Sequence, residues 1–196
     1  MLFFKIAIPF FILLFFPNHT VKENLNYSFK ETCVSAEEIK LYNLINEYRK
    51  QKRLPKIPLS KSLTFVAQTH SRDLMDNDPV KGNCNGHSWS SKGNWTSCCY
   101  TPDHKEKECM WNKPKELTNY TSNGYEISYF SSAGATPEQA LSIWQKSKGH
   151  NPLLINSGIW KEDQWNAIGI GIYKNYATVW FGVEVDKEGV PEKCGN

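Results

Sequence analysis

Three short stretches carry the side chains that could do chemistry. Cys84-Asn85-Gly86-His87-Ser88-Trp89 places a histidine and a hydroxyl inside a cysteine-rich loop. Gly124-Tyr125-Glu126-Ile127-Ser128 places a carboxylate on a short extended segment, and Lys148-Gly149-His150-Asn151 places a second histidine just past a helix. His87 beside Ser88 raises the question of a Ser–His nucleophilic pair. Adjacent residues of an extended chain point to opposite faces, so the two make a poor dyad. Six cysteines, Cys33, Cys84, Cys98, Cys99, Cys109 and Cys194, are the other reactive groups. The adjacent Cys98 and Cys99 fit no C-x-x-C zinc pattern, and an even count behind a secretory leader reads as three disulfides. Four of the six fall within residues 84–109, so part of the network should staple that segment locally. Which cysteine pairs with which stays open, except that Cys98 and Cys99 are not expected to bond each other. Disulfides leave no thiolate to act as a nucleophile.

The leader is read from MLFFKIAIPFFILLFFPNHT, in which one cation, Lys5, precedes an apolar run from Ile6 to Phe16. The run suits the h-region of a signal peptide and is short of the roughly 20 residues a membrane span requires. Residues 1–20 are therefore expected to be a signal peptide, and the rest a secreted, extracellular chain without a stable membrane span. The 196 residues carry a net charge of +3, and loss of Lys5 leaves +2. So mild and interspersed a charge argues against nucleic acid as a partner. Asn26, Asn94 and Asn119 each begin an N-x-S/T triplet that can accept N-linked sugar in a secreted protein.

The elements that must position these groups are legible from spacing. Ser35-Ala36-Glu37-Glu38 reads as a capping box, followed by Leu41, Leu44, Ile45 and Tyr48 at helical intervals and by a basic tail, Arg49 to Arg53, suited to a helix C-terminus. Pro55 and Pro58 read as a short extended linker. A second helix starts near Ser60 or Ser62, and its apolar face, Leu63, Val66, Ala67 and Leu74, includes His70, which reads as a hydrogen-bonded core histidine. Residues 76–123 show no sustained period and read as a long loop braced by cysteines; the charged stretch around His104 reads as solvated. Thr136-Pro137-Glu138-Gln139 starts a further helix, with Leu141 and Trp144 inward and Gly149 as its stop. Two alternating runs, 167–173 and 176–186, flank Lys174-Asn175 and predict a hairpin. Gly169 and Gly171 bare one face of the first strand, which calls for something packed closely there, such as a helix. Helices flanking an antiparallel sheet predict an α+β sandwich.

In order and spacing, His87-Ser88, Gly124–Ile127 and Trp144-Gln145-Lys146-Ser147-Lys148-Gly149-His150, with the closing hairpin, resemble the CAP superfamily: the SCP, cysteine-rich secretory, antigen-5-like and plant pathogenesis-related proteins. The resemblance implies a three-layer α-β-α sandwich around a central antiparallel sheet, spanning residues 35–186. A Cys-rich insert would occupy about 84–123, and residues 187–196 would form a tail. It also implies a cleft in which two histidines and two acids can hold a divalent metal such as zinc, with His87 and His150 as the histidines. Two departures weaken that carry-over. Tyr125 takes the acid's slot and Glu126 the neighbouring one, so either could face the cleft, and Ser147 replaces the second acid. Two imidazoles and one glutamate would bind zinc weakly, and a hydrogen-bonded His pair is the alternative. In function the resemblance implies an extracellular binding module for lipid, sterol, metal or a protein partner, leaning away from enzyme. The alternatives are a metal-dependent hydrolase or protease using His87, His150 and Glu126, and a purely structural extracellular protein. The insert, with Trp95, Tyr100, Trp111 and Tyr120, reads either as a structural lobe or as a recognition surface.

Overall fold

The computed structural model describes residues 28–195. The expected leader and Asn26 lie outside them. After a 3-10 turn at Phe29–Glu31, the elements run β1 (Cys33–Val34), α1 (Ala36–Gln51), α2 (Lys61–Asn77), α3 (Lys107–Trp111), α4 (Lys113–Leu117), β2 (Gly124–Phe130), α5 (Pro137–Lys146), α6 (Asn151–Leu154), β3 (Ala167–Tyr173), β4 (Tyr176–Gly182) and β5 (Glu192–Lys193). A second 3-10 turn, Gly158–Trp160, lies between α6 and β3. No helix among the described residues is long and apolar enough to cross a membrane.

The central sheet is antiparallel with strand order β2-β4-β3, and β1 pairs separately with β5 in parallel. Alternation along the strands divides the core in two. Ile127, Ile168, Ile170, Val179 and Phe181 pack with Leu41 and Ile45 of α1 and Leu141 and Trp144 of α5. On the other face Trp180 packs with Leu63, Val66 and Ala67 of α2. The expected sandwich is thus present, with α1 and α5 on one side and α2 on the other. Gly169 and Gly171 lie against the α2 backbone, where an added Cβ would collide with the carbonyl carbons and oxygens of Leu63 and Ala67. Only a residue without a side chain lets the helix come this close.

The local signals are realised in hydrogen bonds. Both halves of the Ser35/Glu38 capping box form, and the Glu38 carboxylate also accepts from Gln68 and from the Ile172 N–H on the β3 edge. The hairpin turns at Lys174, whose φ is 51°. All six cysteines are bonded, as Cys33–Cys194, Cys84–Cys99 and Cys98–Cys109.

Three expectations need correction, and one buried cation adds a tie. The second hairpin strand ends at Gly182 rather than at residue 186, because the chain leaves the sheet so that Asp186 can accept from the Ser62 N–H and from the Ser60 and Ser62 hydroxyls at the start of α2. Residues 76–123 hold two short helices, α3 and α4, rather than loop alone. Arg49, the first residue of the basic tail, is buried. Its guanidinium donates to the Pro55 and Leu154 carbonyls and to Asn156, tying α1 to the end of α6. Gly149 does not stop α5: the helix ends at Lys146, and Ser147 is already extended at φ −82°, ψ 126°.

Candidate functional site

The floor of the site is built by the pairing of β2 with β4. Their register sets Glu126 opposite Trp180, on the α2 side of the sheet. His70 lies on the core face of α2, fully buried and stacked on Trp89 with ring centroids 4.2 Å apart. Its Nδ1 lies 2.5 Å from Glu126 Oε1 and its Nε2 lies 2.9 Å from the Ser88 carbonyl oxygen. A carbonyl and a carboxylate can only accept, so both ring nitrogens must carry hydrogen. His70 is therefore an imidazolium held against a carboxylate. The other carboxylate oxygen is 2.8 Å from His87 Nδ1. This contact puts hydrogen on His87 Nδ1, so that in the neutral ring the lone pair is at Nε2. Burial is the largest influence on Glu126 and pushes its pKa up. The His70 charge and the hydrogen bonds from His70 and His87 together outweigh it and hold the carboxyl at about 2.

The second histidine is positioned by a serine. Ser147 Oγ accepts from the His150 backbone N–H at 3.2 Å, and its carbonyl accepts from the Asn151 N–H. The chain then enters α6. Asn151 Oδ1 accepts from the Tyr48 hydroxyl, while Leu153 and Leu154 are buried. Ser147, which stands where the resemblance implies an acid, thus acts on the backbone that presents His150. The His87 and His150 rings are 6.5 Å apart between centroids. Burial first, and then the His87 charge, lower the pKa of His150, which favours the neutral ring. Its Nδ1 is buried without a hydrogen-bond partner among the described residues.

These rings open onto a cleft of about 580 Å³, whose walls include Trp111, Tyr125 and Trp160. Tyr125 makes edge contacts with Trp111 and Trp160 and a tilted one with Trp165. So β2 supplies both a polar floor and an apolar wall. Glu126 is the residue that meets the histidines, and Tyr125 is the one beside it among the aromatics. Ile159 stands at the rim, 84% exposed. His104 is exposed as expected, yet it also lines the cleft, and its Nδ1 is 2.8 Å from the Tyr100 hydroxyl. Of the insert's other aromatics, Tyr100 and Tyr120 are buried and Trp95 packs half-buried against Trp89. The insert is a braced lobe that lends Trp111 to the cleft.

The cysteine-rich secretory protein (CAP) family matches residues 42–183. The chain belongs to this family. An extracellular protein containing a SCP domain from Bacillus anthracis str. Ames superposes with a TM-score of 0.54 at 21% identity, over 76% of this chain and 40% of that one. An outer surface protein from Borrelia burgdorferi superposes with a TM-score of 0.50 at 19% identity, over 75% of this chain and 92% of that one. At such identities the likeness is one of fold. The chain spans less than half the length of the first of these structures. No curated protein matches the sequence.

A metal, which the resemblance to CAP proteins implies, can be tested against these residues. Among the described residues no group of three or more His, Cys, Asp or Glu side chains is arranged to hold an ion. Both Glu126 oxygens are already engaged by His70 and His87. Two imidazoles sharing a tetrahedral zinc, at bonds of about 2.0–2.1 Å, bring their ring centroids to about 5 Å, closer than the 6.5 Å found here. The residues as they stand do not fit zinc. Among the described residues no serine nucleophile stands ready beside His87. Ser88 is buried, and its Oγ accepts from the Tyr100 N–H.

The residue that sequence reasoning missed as part of the site is His70. Helical spacing placed it on the core face, and it is a hydrogen-bonded core histidine. Nothing in the spacing linked it to Glu126, 56 positions away.

Proposed function

We propose that this CAP domain is an extracellular binding module that holds an apolar small molecule, of the lipid or sterol class, in the cleft. The observation that carries this reading is the cleft itself. Its volume of about 580 Å³ falls in the range of small-molecule sites, and Trp111, Tyr125, Trp160, Met110 and Leu153 give it apolar walls over a small polar floor. Three disulfides that use every cysteine support an oxidising, extracellular setting, as do the extracellular SCP-domain protein and the outer surface protein that share the fold. A hydrolase reading has no comparable support, because among the described residues Ser88 beside His87 is buried with its Oγ engaged by the Tyr100 N–H and no group of three ligands is arranged for zinc.

The reading is tested by producing the protein in an oxidising host, extracting it with organic solvent and identifying what comes off by mass spectrometry. The stripped protein is then titrated with fluorescent sterol and fatty-acid probes. Binding should be saturable, and Trp160→Ala should weaken it about tenfold or more, as truncating a central aromatic anchor does. A stripped protein that takes up neither probe would remove this reading.

A further inference from the structure

We propose that the cleft chooses among apolar ligands by their headgroup, accepting a neutral hydroxyl and rejecting the same body capped by a carboxylate or sulfate. The proposal rests on the binding-module reading above and adds what the polar floor recognises.

The floor has a defined hydrogen-bond polarity. His70 and Glu126 form a buried cation–anion pair, so together they add no net charge beneath the cleft. The remaining Glu126 oxygen takes the Nδ1 hydrogen of His87. His87 keeps 18% of its side chain exposed and lines the cleft. In the neutral ring, what it has left to offer is the lone pair on Nε2, an acceptor. Neither ring nitrogen of His150 has a hydrogen-bond partner among the described residues, so no protein group fixes its tautomer. It can present an N–H or a lone pair as required. The pair of rings is therefore one fixed acceptor beside one adaptable group.

A hydroxyl suits such a pair, because it donates one hydrogen bond and still accepts. The spacing suits it too. An oxygen hydrogen-bonded to a ring nitrogen at about 2.8 Å lies roughly 4 Å from that ring's centroid. A centroid separation of 6.5 Å then corresponds to an angle of about 110° at the oxygen, close to tetrahedral. A carboxylate or sulfate only accepts. It would meet the His87 lone pair with the Glu126 carboxylate directly behind it. The cations on the lining, Lys107 and Lys148, do not reverse this. Lys107 Nζ sits over the Trp111 ring at 5.0 Å, and Lys148 is solvent-exposed at the mouth.

Paired probes with identical bodies test the proposal on the intact disulfide-bonded protein. Decanol is compared with decanoate, and cholesterol with cholesteryl sulfate, by calorimetric titration near neutral pH. The alcohol should bind at least about tenfold tighter than its anion in whichever pair binds, since a site that hydrogen-bonds a hydroxyl discriminates by its unpaired polar groups. The pair that binds more tightly separates a straight chain from a fused-ring body. In His87→Phe, which keeps a ring but removes the acceptor, the preference should fall to near unity. Should that variant not fold, the wild-type comparison still decides. Anions that bind as tightly as the alcohols, or more tightly, overturn the headgroup inference and leave the binding module standing. Failure of all four probes to bind overturns both.

Discussion

The buried carboxylate of Glu126 should make this domain acid-labile in a way that a single substitution reveals. The side chain is fully buried between His70 and His87, and its carboxyl is held at about 2 against an ordinary 4.5. A folded-state pKa below the unfolded one means that the unfolded chain binds the proton more readily. The contribution is then complete above about pH 5 and is lost as pH falls toward 2. A displacement of about 2.5 units at 1.36 kcal/mol each corresponds to about 3 kcal/mol, of which about 2 kcal/mol is gone by pH 3. Glu126→Gln keeps the shape but offers one acceptor oxygen to two N–H donors, so an amide N–H faces one of the histidines. It also leaves the His70 charge uncompensated. The variant should be about 3–5 kcal/mol less stable than wild type near neutrality, the usual cost of breaking a buried pair. Urea unfolding by tryptophan fluorescence, run near pH 7 and near pH 3, measures both effects. Wild type should lose about 2 kcal/mol more than the variant between the two conditions. Other carboxylates with lowered pKa, such as Glu116 and Glu138, are common to both proteins and cancel in the difference. Equal acid losses in the two proteins, or a variant as stable as wild type at neutrality, would refute the buried ion pair.

Two further outcomes follow from the packing and the bridges. Gly169→Ala drives a methyl into the Leu63 carbonyl and should cost more than about 3 kcal/mol, read as a lowered denaturant midpoint, because neither the α2 backbone nor the sheet can retreat cheaply. The disulfides should differ in worth. Chain entropy assigns about 5 kcal/mol to Cys33–Cys194, with its sequence separation of 161, and about 3 kcal/mol to Cys98–Cys109, with a separation of 11. Paired Cys→Ser variants compared by thermal melting should rank in that order, and the reverse ranking would refute the entropic account.

What the sequence disclosed, and what it hid, follows from how far apart the deciding groups lie in the chain. The capping box at Ser35 and Glu38 and the hairpin around Lys174-Asn175 are set by neighbours within a turn or along one strand and are visible in spacing alone, and the bared Gly169 and Gly171 announce a close approach without naming the helix, about a hundred residues earlier, that makes it. The face taken by Glu126 was not visible, because a one-residue slip of β2 would exchange it with Tyr125. The register is fixed only when Gly124 lies opposite Gly182 and Glu126 opposite Trp180. Gly182 is itself hemmed in by the Tyr120 hydroxyl, so the insert helps set the strand that carries the carboxylate. His70 was hidden for the same reason, as its partner lies across the fold. Gly149 misled because glycine is the usual signal for a helix end, yet Ser147 ended the helix first by turning extended and capping the His150 N–H. The same serine, standing where the resemblance to CAP proteins implies an acid, fixes the backbone of the cleft's second histidine. That placement holds the His150 ring 6.5 Å from His87 between centroids, the spacing on which the headgroup preference depends.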